Sequence, residues 1–224
     1  MVRLPFVSLL GLQGALALST FSPRFKREAD AVPFVNPTLA GGSLLDRATP
    51  TLGEPLNVII SGLSSPGVLS DAGFLTFVNA IGFATECLGI HIGDPQAANL
   101  GDGHGYVNQT IELRQDFGNV PVGSCLESLA GGNHLRLFRQ NGPTANTGAL
   151  FLAVSQEENV FEGHTISPDG YDIGRDKFVQ GALGASGFHT VAQNITGLLA
   201  PGSTGINHGI ATDGVVVLLT VTTA

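Results

Sequence analysis

Two runs, His134 to Gln140 (HLRLFRQ) and Ala149 to Ser155 (ALFLAVS), flank the turn-rich octapeptide NGPTANTG. Such a pairing of β-prone runs across a loop of turn formers predicts an antiparallel hairpin. With Gln140 facing Ala149, residue 135 faces 154 and 137 faces 152. One side then carries Leu135, Leu137, Leu152 and Val154, a core surface, and the other carries His134, Arg136, Phe138, Phe151, Ala153 and Ser155. A slip of one residue would exchange the two sides, so this register decides what is core.

Around the hairpin the chain reads as short elements separated by glycine and proline; it holds 31 Gly and 12 Pro. Leu56 to Gly62 is a short buried strand. Ser70-Asp71 caps a helix to about Phe83, with Leu75, Val78 and Phe83 inward. Residues 89–105 read as loop, Tyr106 to Leu113 as a strand, and Cys125 to Ala130 as a short helix closed by Gly131-Gly132. Asp169 or Asp172 caps a helix through about Leu183, with Ile173, Phe178, Val179 and Ala182 inward. Residues 184–213 read mostly as loop, and Val215 to Val221 as the last strand. Thr220, Thr222 and Thr223 interrupt this apolar tail, which favours a strand over a lipid-anchor signal. This order predicts an α+β fold: a single two-layer domain over 56–224, a mixed β-sheet with helices packed on one face. Pro33, Pro37, Pro50 and Pro55 mark 28–55 as an extended arm or linker.

Residues 1–17 read as a signal peptide: Arg3, an apolar run from Leu4, then Ala15-Leu16-Ala17, with cleavage after Ala17 or, nearby, Ser19. Arg24-Phe25-Lys26-Arg27 followed by Glu28-Ala29-Asp30-Ala31 resembles a kexin-type processing site with X-Ala pairs. That likeness implies a propeptide, 18–27, cut after Lys26-Arg27. Four of the 10 basic residues would leave with the leader, so the mature chain would carry 6 against 18 acidic residues, a net −12. A chain of that charge is no nucleic-acid binder, which needs a basic face. The mature chain has no transmembrane segment, for no run reaches about 18 apolar residues. Only 12% of residues are charged and 43% are hydrophobic, which excludes intrinsic disorder.

An exported chain meets an oxidising compartment, so Cys87 and Cys125 are expected to form a disulfide; the competing reading is a catalytic thiol. Asn108-Gln109-Thr110 and Asn194-Ile195-Thr196 are sequons, so glycosylation is expected at Asn108 and Asn194 on the surface.

Several segments together carry a resemblance. Glu54-Pro55-Leu56-Asn57-Val58-Ile59-Ile60-Ser61-Gly62, His134-Leu135-Arg136-Leu137-Phe138, and His164, Ile166, Pro168, Asp169 with Arg175-Asp176 resemble the LssY C-terminal domain family over 54–221. The family pattern has an opening P-x-N strand, an H-x-R-x-aromatic strand and a T-H-H-I-D-P…R-D segment before a helix. Here Asn133-His134 stands where the family often has two His, and Gly163-His164-Thr165 where it often has T-H-H. The resemblance implies a fold and transfers no reaction.

One constellation could carry chemistry. His134 lies at the hairpin end away from the loop, opposite Ser155, and His164 follows nine residues after Ser155, ahead of Asp169, Asp172 and Asp176. His134, His164 and Asp169 could hold a divalent metal that activates water, or act as acid and base without one. The bland alternative is a structural network in which Arg175-Asp176 bridges to Arg136. His91, His104, His189 and His208 sit in Gly-rich loops, and no G-x-S-x-G elbow is present. The leading expectation is a secreted protein that binds an extracellular ligand or the cell wall; the runner-up is a secreted metal-assisted hydrolase. A third reading makes the leader an inhibitory propeptide or the source of a released peptide.

Overall fold

The computed structural model describes residues 31–89, 94–163 and 165–224. Ala17, Lys26, Arg27, His91 and His164 lie outside them. Twelve strands and helices follow in chain order: β1 (Val58–Ile60), α1 (Asp71–Asn79), β2 (Phe83–Thr85), β3 (Ala97–Asn99), β4 (Tyr106–Asn108), β5 (Ile111–Gln115), α2 (Gly123–Ala130), β6 (Gly132–Asn141), β7 (Asn146–Glu157), α3 (Gly170–Leu183), β8 (Phe188–Ile195) and β9 (Val216–Thr223). Seven strands form one sheet in the order β2-β5-β6-β7-β1-β9-β8, and β3-β4 form a small second sheet. β1 runs parallel to β9 and every other pair is antiparallel, so the sheet is mixed and the fold is α+β.

The hairpin β6–β7 has the register that its side-chain alternation demands: Leu135 faces Val154 and Leu137 faces Leu152. These four leucines and valines meet Phe74, Phe77 and Val78 of α1 and Phe178 and Ala182 of α3 in one core. The pairing holds to Arg139–Leu150, and Gln140 is then bulged out. Its side-chain amide clamps the backbone of Val35, accepting from N–H at 2.9 Å and donating to the carbonyl at 2.8 Å.

The other side of the sheet is buried as well, and here the arm expected over 28–55 is corrected. From residue 33 it has little regular structure, as its prolines require, but it packs on the sheet instead of trailing. Leu44 joins Leu56, Ile59, Phe138, Phe151 and Leu218 in a second core. Backbone bonds between Leu56 and Leu44 and between Asp46 and Glu54 fold 44–56 back on itself, and Arg47 reaches Ala97. This side is covered by coil and by β3–β4, while α1 and α3 lie on the opposite side.

Four boundaries differ from the sequence expectation. The first helix stops at Asn79 and Phe83 opens β2. The run 106–113 splits at Gln109-Thr110 into β4 and β5, which join different sheets, and β3 lies inside the expected loop 89–105. β8 crosses what reads as loop: it is an edge strand paired only with β9, and among its eight residues only Thr190 is buried, so it lacks the apolar alternation that marks a strand. Ser70 caps α1 as expected, its Oγ accepting from Gly73 N–H at 3.1 Å. Asp169 precedes α3 at φ +56° and makes no capping bond, while Ile173 points to solvent.

α3 lies close to β7 because Gly174 has no side chain: a Cβ there would stand 2.6 Å from the Ser155 carbonyl carbon and 2.7 Å from Gln156 N. Gly174→Ala should therefore destabilise the protein by about 1–3 kcal/mol through overpacking, although alanine is the better helix former. Gly184→Ala, whose Cβ would meet nothing nearer than 3.8 Å, should change it by less than about 0.5 kcal/mol. Urea unfolding of the two variants checks this pair.

Candidate functional site

The mixed side of the hairpin carries charge into the interior. Arg136 of β6 pairs laterally with Glu112 of β5, and His134 with Arg114, so four polar side chains share one patch of sheet. Acid and base alternate across it. Arg136 Nη1 donates to Glu54 Oε2 at 2.7 Å, and its Nη2 lies 3.5 Å from Glu112 Oε1. His134 Nε2 is 2.7 Å from that same Glu112 oxygen, and its Nδ1 is 3.3 Å from Glu157 Oε1. Arg114 Nη1 then reaches Glu157 at 3.0 Å and Glu127 of α2 at 2.9 Å, and its Nε reaches Glu86 at 3.4 Å. Gln109 donates to the second Glu112 oxygen.

With Asp46 beside Glu54, six carboxylates face two guanidiniums and one imidazole. Burial alone would lower the Arg136 and Arg114 pKa values, but the surrounding glutamates overcome it and raise both. Burial pushes Asp46 up to about 8, with repulsion from Glu54 adding to it, and raises Glu127 against the pull of Arg114. The folded state therefore holds a proton on Asp46 between about pH 4 and 8 that the unfolded chain releases, and the upward shift of Glu127 acts in the same direction. Stability must fall as pH rises through that window. Asp213 is shifted the opposite way, by Arg175 against its own burial, and acts below about pH 4.

Two of the three sequence-predicted residues, His134 and Asp169, fall within the described residues. His134 is fully buried with carboxylate oxygens facing both ring nitrogens, whereas Asp169 is exposed at the start of α3. Among the described residues no group of three His, Cys, Asp or Glu is arranged to hold a metal ion. The expected bridge from Arg175-Asp176 to Arg136 is corrected: Arg136 is held by Glu54 and Glu112, and Arg175 by Asp172, Asp176 and Asp213 in a second cluster. Arg175 donates from Nη1 at 2.6 Å and from Nη2 at 3.0 Å to the two Asp213 oxygens, and also to the Val215 carbonyl, pinning α3 to the entry of β9. Cys87 and Cys125 are joined in a disulfide that ties α2 to the end of β2, which removes the catalytic-thiol reading. Asn108 and Asn194 are exposed, as glycan acceptors require. Asp102 is buried and accepts from the N–H groups of His104, Asn141 and Gly142, so the Asp102-x-His104 pair is a loop clamp.

Sequence reasoning missed an open cleft of about 470 Å³ at the ends of β2, β5 and β6, closed on one side by α3. Asn133, the second residue of β6 and one place before His134, lies on the α3 side and is 3% exposed. Its Nδ2 donates to the Gly174 carbonyl at 2.9 Å, and its backbone N–H donates to Gln115 Oε1 at 3.0 Å. That arrangement sets the amide orientation and leaves Asn133 Oδ1 buried without a donor. Lys177 and Gln180 stand on the α3 wall, Lys177 donating to Gln156 at 2.7 Å. Phe117 forms the opposite lip, 47% exposed and held at φ +47°. An aromatic residue in the left-handed region costs about 1–2 kcal/mol. Nothing in the local sequence marks this cleft, because its lining comes from β2, β5, β6 and α3 together.

No family model, no curated protein and no solved structure matches this chain.

From the shifts above, raising pH from 5 to 8 should cost the wild-type protein a few kcal/mol of stability. Asp46→Asn keeps an acceptor for the Glu54 N–H and should flatten that slope. Urea midpoints measured across the range give the answer, and an unchanged slope in the variant would assign the pH dependence elsewhere.

Proposed function

We propose that this chain is a secreted binding protein that engages an extracellular ligand, such as a component of the cell wall, through the cleft between β5 and α3. The observation that carries the reading is Asn133, which lines the cleft and keeps a buried side-chain oxygen without a donor in the protein just behind its wall. Leaving such a group unmade costs about 1–3 kcal/mol, and an incoming donor recovers it. Export is supported by the Cys87–Cys125 disulfide and by the exposure of both sequon asparagines. No helix of the described residues is long and apolar enough to cross a membrane.

Binding has more support than metal-assisted hydrolysis. A reacting imidazole must reach substrate, and His134 is enclosed by Glu112 and Glu157 with no exposed surface. The residues that carry the likeness to the LssY C-terminal domains do internal work in this chain. Asn57 bonds both the N–H and the carbonyl of Val154 and the carbonyl of Tyr171, His134 and Arg136 sit in the charged row, and Arg175 anchors α3. We read that likeness as a shared architecture.

The test is retention of the mature chain, residues 28–224, on the insoluble extracellular fraction of the producing cells. Gln180→Arg places a bulky cation over the cleft from an exposed helix position and should cut the retained fraction at least ten-fold, while His189→Ala on the far edge strand should leave it unchanged. Equal retention of both variants would remove the cleft from the function.

A further inference from the structure

Resting on the cleft as the binding site, we infer that its ligand is a neutral carbohydrate, bound by hydroxyl groups and by the face of one sugar ring. Four features of the cleft select that chemistry. Asn133 Oδ1 asks for a hydrogen-bond donor, and a donor supplied by a charged ammonium would also need a carboxylate. The cleft's one carboxylate, Asp116, is buried and already accepts from Gly118 N–H at 2.8 Å. Gln115, whose carbonyl oxygen is taken by Asn133, presents an amide NH2 without a protein partner among the described residues. Gln180 adds a second amide from the exposed side of α3. Neutral donors and acceptors set around one space match vicinal hydroxyls, each of which both donates and accepts.

Phe117 supplies the fourth feature. Its ring is half-exposed at the lip, and the backbone holds it there at a conformation that glycine adopts freely and asparagine at less cost than phenylalanine. A sugar ring has an apolar face of C–H groups that can cover an aromatic ring while its equatorial hydroxyls reach the amides. A volume of about 470 Å³ lies within the range of small-ligand sites.

Charge argues against the acidic alternatives. A phosphate or polyanion calls for arginine clusters, and no arginine lines this cleft. All five arginines between residues 31 and 224 have their guanidinium groups engaged elsewhere. Arg114, Arg136, Arg139 and Arg175 pair with carboxylates, and Arg47 lies 3.4 Å over the Tyr106 ring. Lys177 is the lone cation at the site and is turned to the Gln156 amide.

The experiment is NMR titration of the isotopically labelled mature chain with trisaccharides of glucose, mannose and N-acetylglucosamine, and with a trisaccharide of a uronic acid. At least one neutral trisaccharide should shift the side-chain amide signals of Asn133, Gln115 and Gln180 in a saturable way. Phe117→Asn removes the ring at a φ that asparagine tolerates, and Gln180→Ala removes one amide. Each should weaken binding at least ten-fold while leaving the thermal midpoint within about 2 °C or raising it. Loss of folding in either variant is thereby separated from loss of binding. The inference is overturned if no neutral trisaccharide shifts these signals, if binding survives in Phe117→Asn, or if the uronic acid alone binds. Retention on the extracellular fraction that still depends on Gln180 but is not competed by the neutral sugars would overturn the ligand class and leave the cleft as the binding site. Retention independent of Gln180 would overturn both.

Discussion

The ion pair between Arg136 and Glu54 ties the coil segment 44–56 to the sheet. Arg136 projects from the middle of β6 into an interior where an unpaired guanidinium would be untenable, and Glu54 comes from a segment with almost no regular structure. A coil that supplies the counter-charge of a largely enclosed arginine is held in place, because removing one member of a fully buried pair costs about 3–5 kcal/mol and of this one somewhat less. The pair therefore holds residues 44–56 on the sheet, and with them Leu44 and the second apolar core. The remaining charges follow from the same need. Glu112 closes the other side of Arg136, His134 lies between Glu112 and Glu157, and Arg114 between Glu157 and Glu127. The row runs from the coil segment to α2, and each member's position depends on its neighbours.

Buried ionic rows specify geometry more than they add stability, since their desolvation offsets much of their attraction. In this protein the apolar work is done by two cores, α1 and α3 against the leucine side of the hairpin and the coil with Leu44 against the other side. The disulfide adds a further constraint of about 3–4 kcal/mol in the chain-entropy account, and it acts on α2, which has little core of its own. Division of labour of this kind leaves the far ends of β2, β5 and β6 lightly filled. There Gly82, Gly118 and Gly181 line a cleft whose polar side chains are not consumed by the charged row.

The parts legible in the sequence were those set by local periodicity. Leu135, Leu137, Leu152 and Val154 define a face by alternation alone, and the structure has that face and that register. Ser70 caps α1 through a bond three residues long, and Cys87 and Cys125 had only each other. β8 was illegible for the opposite reason: with one buried residue in eight it has no alternation, and its pairing partner β9 lies more than twenty residues away. The prolines of 28–55 predict an extended arm because proline forbids regular structure, but proline does not forbid packing.

The candidate site divides along the same line. That His134, Arg136 and Arg175 matter was visible from residue type, since charged side chains in apolar strands must be paired. Which partner each one takes was not visible: Glu54 is 82 residues from Arg136, and Asp213 is 38 from Arg175. The sequence by itself determined a mixed α+β sheet with one apolar face and a burden of interior charge. Only the tertiary structure decided how that charge is neutralised, which coil is held down to do it, and where the cleft opens. Pairing across such separations is chosen by sheet order and helix docking, for which local pattern carries no information.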